Sequence, residues 1–200
     1  LRAARGEKLL SETSLFTPTF PPENAPLSAA RLQELSVPEL PVLLRKLRQM
    51  LQVALVGVLR GQDLPTNLGY MARVFARLET LSKDAPLEIL WQVAAGLVDG
   101  LVNGSVEAGA SVRTLLRQVD RELRRLVAEQ APGLNQPASI ELIKNILFYV
   151  AKAQANSERL QYLHEQYRLD EALPNELLLD EERARMAGPD RGAMRSVVAA

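Results

Sequence analysis

The chain has no cysteine, a single histidine and an aromatic content of 4% over 200 residues. Without cysteine there are no disulfides, thiolate metal sites or cysteine nucleophiles, which is compatible with a reducing compartment. One histidine cannot build a metal site alone, because such a site needs several N, O or S ligands. Long apolar runs are missing too. The longest candidate spans Val53 to Leu59, far short of the roughly 20 residues a membrane helix needs. An excess of one charge is also absent: Lys plus Arg number 24 and Asp plus Glu number 24. That balance gives no global attraction to nucleic acid or an anionic membrane. No Gly-rich phosphate loop is present, since "GSVEAG" at 104–109 lacks Walker spacing and follows a helix. No nucleophile-elbow pattern or catalytic carboxylate pair can be placed. No signal peptide is legible in "LRAARGEK". Leu1 opens inside an amphipathic pattern and "AMRSVVAA" stops inside one, so the sequence reads as a segment of a longer chain.

What is present is helical periodicity. Hydrophobic residues make up 47% of the chain, enough for a real core. Apolar positions recur every three or four residues, with no strand-like alternation. Leu44, Leu47, Leu51, Leu55 and Val58 form one face, and Leu68, Met71, Val74, Phe75, Leu78 and Leu81 a second. Leu87, Leu90, Trp91, Ala94, Leu97, Val98 and Leu101 form a third. The fourth holds Val112, Leu115, Leu116, Val119, Leu123 and Leu126, and the fifth Ile140, Ile143, Ile146, Leu147 and Val150. The expected fold is all-α, an antiparallel bundle of about five main helices. Pro65, Pro86 and Pro137 are expected in first helical turns. Asp63 and Asp84 are candidate caps, and Asn103-Gly104 and Pro132-Gly133 read as stops. The helix at 87–102 carries only Glu88 and Asp99 as charges and should be central. Trp91 belongs in that core, where its indole N–H needs a partner.

Three segments follow. Residues 1–27 read as the end of an upstream helix and a Pro-rich linker, which Phe16 and Phe20 would pin to the bundle. Residues 28–170 form the helical module. Residues 171–200 read as an acidic exit linker and the start of a next module.

Two features carry candidate chemistry. His164 lies at the edge of a helix face made by Leu160, Leu163 and Tyr167. It is the chain's only candidate phosphoacceptor, but the plainer reading is a packed histidine with one hydrogen bond. On "SVRTLLRQVDRELRRL", Arg113, Arg117, Arg121, Arg124 and Arg125 make a basic stripe. Asp120 and Glu122 interrupt it, with Asp120 and Arg124 spaced as an i,i+4 pair. No aromatic residue alternates with the arginines to stack bases. An acidic protein partner therefore fits better than nucleic acid, and a solvated face is the simpler alternative. No catalytic residue and no metal ligand set is expected.

Several long blocks carry a resemblance: "LRAARGEKLLSETSLF", "LLRKLRQMLQVALVGVLRGQDLPTNLGYMARVFARLE", "NGSVEAGASVRTLLRQVDRELRRL", "ELIKNILFYVAKA" and "RARMAGPDRGAMRSVVAA". They resemble the N-terminal region of the type IV pilus chemosensory hybrid histidine kinases, the ChpA/PilL type. The same region is similar to the FimL type of pilus scaffold. The kinase resemblance implies a cytoplasmic segment between histidine phosphotransfer (HPt) bundles of an ATP-dependent histidine kinase, with twitching motility as the output. ATP and Mg would belong to the parent's kinase core, and this segment would hold no cofactor. The implied partners are pilus response regulators, scaffold or polar-anchoring proteins and neighbouring HPt modules. An HPt site reads His-x-x-Lys-Gly. After His164, Tyr167 stands in the lysine's place and Arg168 in the glycine's, so the motif does not carry over. The expected role is a non-catalytic scaffold or docking segment. A FimL-like scaffold parent and a cryptic phosphotransfer domain using His164 are the alternatives.

Overall fold

The structure is a computed structural model and describes residues 12–174, 180–181 and 183–185. Every regular element among them is helical. Besides helical residues at 12–15, 180–181 and 183–185, the elements in chain order are α1 (Ala29–Leu35), α2 (Glu39–Leu59), α3 (Leu64–Leu81), α4 (Glu88–Val102) and α5 (Ala110–Glu129). A 3-10 turn (Ala131–Asn135), α6 (Ile140–Lys152), α7 (Glu158–Gln166) and α8 (Leu169–Ala172) follow. The all-α expectation holds, and the five long helices are the five predicted faces.

Helix α4 is the axis of the bundle. Leu90, Trp91, Val93, Ala94, Ala95, Gly96, Leu97, Val98 and Gly100 are all buried, and α3, α5, α6 and α7 pack around it. A helix apolar on most sides is stable only when covered on most sides. Phe75 of α3 stacks on Trp91 with ring centroids 6.3 Å apart. The indole N–H of Trp91 finds no hydrogen-bond partner among the described residues, contrary to expectation.

The punctuation is only partly as the sequence suggests. Pro65 does lie in the first turn of α3. Pro86 and Pro137 instead sit in the loops that precede α4 and α6. Asp63 and Asp84 do not cap through their side chains. Both adopt positive φ, 42° and 67°, the left-handed turn that Asp tolerates better than most residues. Side-chain capping is done by serines: Ser139 Oγ accepts from the Leu142 N–H and Ser157 Oγ from the Leu160 N–H. Asn103-Gly104 ends α4 as expected, with Gly104 at φ 80°. Helix α5 stops before Pro132, where Gln130 turns to φ 62°. Ile140, assigned to a core face, is exposed at the start of α6.

The Pro-rich arm lies on the bundle. Phe16 is fully buried and meets Phe148 edge-on at 5.6 Å. Phe20 meets Tyr167 at 6.1 Å and stays partly exposed. The Thr17 and Thr19 N–H groups donate to the Ala172 and Tyr167 carbonyls. Farther along, Asn24 Nδ2 donates to the Ala85 carbonyl, and Leu27 exchanges two hydrogen bonds with the side chain of Asn135. These contacts give an extended segment the backbone partners it cannot make internally. At the other end, Leu169 and Ala172 of α8 are buried. Residues 1–11 and most of those after 174 lie outside the described residues, with the upstream-helix and next-module expectations that fall on them.

Candidate functional site

His164 sits in the last turn of α7, 9% exposed. Its Nε2 is 2.7 Å from the Val150 carbonyl oxygen of α6, and its Nδ1 is 2.8 Å from Asp170 Oδ1. A carbonyl only accepts, so Nε2 donates to it, and Nδ1 lies within hydrogen-bond reach of the carboxylate. A phosphoryl acceptor needs an accessible nitrogen lone pair. Here both nitrogens are committed, one of them to a buried carbonyl. The residues around the ring are equally occupied. Tyr167 is buried, and Arg168 turns to Glu171 at 2.8 Å. The shallow cleft beside the ring, about 470 Å³, is lined by Gln161, Glu165, Arg168, Asp170 and Glu171 as well as His164. Three of these six are carboxylates, which would repel a phosphoryl group.

The histidine is one of several polar ties that hold α7 in place. Arg159 grips Glu79 of α3 through two hydrogen bonds, 2.7 and 3.1 Å. The hydrogen bond to Glu79 raises the Arg159 pKa, burial works against it, and the charges of Glu79 and Asp99 add to the rise. Ser157 Oγ donates to Asp99 of α4 at 2.8 Å while capping α7. Burial pushes the Tyr167 hydroxyl up to about 12, with a smaller contribution from Tyr162. None of the ties to Glu79, Asp99 or Val150 is legible as a motif, because each joins residues far apart in sequence.

The arginine stripe divides. Arg113 Nε donates to the Ala108 carbonyl at 2.7 Å and closes the loop before α5. Arg125 is a structural hub. It pairs with Glu122 and Glu129, both at 2.9 Å, and donates to the Gly133 and Gln136 carbonyls. Arg117, Arg121 and Arg124 are exposed and make no ion pair or hydrogen bond among the described residues. Asp120 does not pair with Arg124 as its spacing suggests. It faces Arg48 of α2 at 3.6 Å, an ion pair too long to be a hydrogen bond. Beside the stripe, two adjoining clefts of about 340 and 390 Å³ run between α5 and α6, with Gln118 and Asn145 lining both. No group of three or more metal-ligating side chains occurs among the described residues. None of the described helices is long and apolar enough to cross a membrane.

Residues 36–180 match the family model described as the FimL scaffold protein second domain. The chain belongs to this family. It is 30% identical over 198 residues to Scaffold protein FimL of Pseudomonas aeruginosa, covering 98% of this chain and 34% of that protein. The chain therefore spans about a third of the length of that curated relative. No solved structure matches it. Both matches are to FimL. They support the scaffold alternative better than the kinase parent, which neither of them carries. FimL second-domain membership fits a segment without enzymatic machinery.

Proposed function

We propose that this chain is a non-catalytic helical docking module of a FimL-type scaffold serving type IV pilus motility. One observation carries the docking part. Arg117, Arg121 and Arg124 hold three charges on the outer face of α5 with no ion pair among the described residues, whereas Arg48 and Arg159 tie helices together and Arg125 ties α5 to the turn that follows it. The family's printed description as a scaffold supports the rest. The partners expected are pilus chemosensory proteins: response regulators, other scaffolds or polar-anchoring proteins. The kinase resemblance of the same blocks suggests the same company.

The test is co-purification. The full parent protein, tagged at its own locus, is isolated from its native cells and its companions are identified by mass spectrometry. Recovery of pilus chemosensory proteins, reduced about tenfold by Arg117→Glu, Arg121→Glu and Arg124→Glu together, is the expected result. The variant must keep its helical circular dichroism. Equal recovery by the variant would move docking away from α5. Recovery of no such protein by the wild type would end the scaffold reading.

A further inference from the structure

We infer that the α5 arginines are one half of a two-helix basic surface completed by α2, and that this surface takes an acidic amphipathic helix of a partner protein. The inference rests on the docking reading and names the partner's chemistry.

The register of the two helices brings the charges together. Leu40 and Leu44, near the start of α2, share a small gap with Leu126, Gln130 and Ala131 at the end of α5. The helices are therefore antiparallel. The Arg48–Asp120 ion pair fixes their relative position. About one turn from Arg48 towards the start of α2 is Arg45, and about one turn from Asp120 towards the end of α5 is Arg124. The antiparallel register places these two exposed arginines at the same level along the helix pair. Lys46 and Arg117 extend the field on the two helices. All four are exposed and without an ion pair among the described residues.

The three carboxylates of α5 are engaged within the fold. Asp120 faces Arg48, and Glu122 and Glu129 belong to Arg125. Glu39, the first residue of α2, is the one carboxylate on that helix and stands seven residues before Lys46. The molecule as a whole is neutral, so this face is a local concentration of charge rather than a general basicity.

An apolar edge runs along the same surface. Val42, Val53 and Val56 of α2 are 57%, 65% and 45% exposed. With Lys46 and Gln49 they follow a 4–3–4–3 spacing, the spacing of a coiled-coil seam. Valine is a poor helix former, and these three gain little packing within the chain in return. A helix with carboxylates on one flank and aliphatic side chains on its inner face matches both features. A second copy of the chain does not match the charge, because it would bring another basic surface rather than an acidic one. Nucleic acid would use the charge but leave the valine edge unmatched.

The probe is a fluorescent synthetic helix of three heptads, with Leu and Val on one face and Glu elsewhere. It is titrated against the full 200-residue chain, and amide chemical shifts are recorded alongside the anisotropy. A scrambled peptide of the same composition and a short DNA duplex are controls. Binding is expected to perturb α2 and α5 amides, to fall about tenfold with Arg45→Glu plus Arg124→Glu, and to weaken with Val53→Ser plus Val56→Ser. Glu158→Arg, on α7, should change nothing. The gentler pair Arg45→Gln and Arg124→Gln serves if charge reversal alters the circular dichroism. No binding, equal binding of the scrambled peptide or the DNA, or insensitivity to both Arg45 and Arg124 variants would overturn the inference. Such a failure alongside intact co-purification leaves the scaffold reading standing with its surface elsewhere. Failed co-purification removes that reading whatever the peptide does.

Discussion

His164 shows why a lone histidine is a poor guide at the residue scale. Its neighbours in sequence, Glu165, Gln166, Tyr167 and Arg168, already argue against a phosphotransfer motif. Its partners in space, Val150 and Asp170, could not be read from spacing. Asp170 is 83% exposed, so the interaction with the buried Val150 carbonyl is the more valuable one. Replacing His164 with Ala removes the side-chain donor and leaves that carbonyl only the Ala153 N–H. A loss of about 1 kcal/mol is expected, a Tm drop of about 2–4 °C, measured by thermal circular dichroism. An unchanged Tm would mean the ring is not part of the structural tie. Tyr167 gives a test in pH. Its pKa rises from 10.0 to about 12 on folding because burial disfavours the phenolate. Its contribution to stability is complete below pH 10 and is lost as pH climbs towards 12, since the unfolded state releases its proton first. Tyr167→Phe should therefore flatten the alkaline limb of the stability profile between those values. A profile of the same slope in both proteins would contradict the assignment.

At the scale of elements, the five long helices were legible because each repeats apolar residues at the helical period over three or more turns. Their ends were less so. Positive-φ turns at Asp63, Asp84 and Gln130 do the stopping and starting that prolines and side-chain caps were expected to do. Local propensity does not decide which residue takes such a turn when packing decides where the chain must turn. Glycine makes the same point. A Cβ on Gly100 of α4 would stand 2.8 Å from Val106 Cγ2 and 3.0 Å from the Ala153 Cβ. Gly100 thus allows the loops after α4 and α6 to close on the central helix. A Cβ on Gly69 of α3 would meet nothing within 4 Å. Gly100→Ala is expected to destabilise by about 1 kcal/mol, crowding outweighing the gain in helix propensity. Gly69→Ala should stabilise by up to about 1 kcal/mol. Denaturant midpoints measure both, and equal signs would show that packing at Gly100 is looser than its neighbours indicate.

At the scale of the whole molecule, the arm and the basic surface are products of long-range packing. The sequence marks "TSLFTPTFPPENAPL" as non-helical and Phe16 as an anchor. The partners, Phe148 on α6 and the backbone of Tyr167 and Ala172, come from the opposite end of the chain. Phe16→Ala should cost about 3–5 kcal/mol and expose the arm to limited proteolysis near Thr17. Loss of stability without new cleavage would mean that the backbone hydrogen bonds hold the arm unaided. The arginines of α5 were visible in sequence as one stripe. The fold alone separates Arg113 and Arg125, which are structural, from Arg117, Arg121 and Arg124, and adds Arg45 and Lys46 from a helix more than sixty residues earlier.

The proposed docking of a partner through the arginine surface can be tested inside the cell. The most direct measurement puts a photo-activated cross-linking residue at position 124 in the full parent protein, in its native cells. Position 158 on α7 is the control. Docking through this surface predicts adducts at position 124 with a pilus chemosensory protein, absent at 158 and lost when Arg45 and Arg117 are reversed to Glu. Adducts at 158 with none at 124 would contradict it and turn attention to the α7 face.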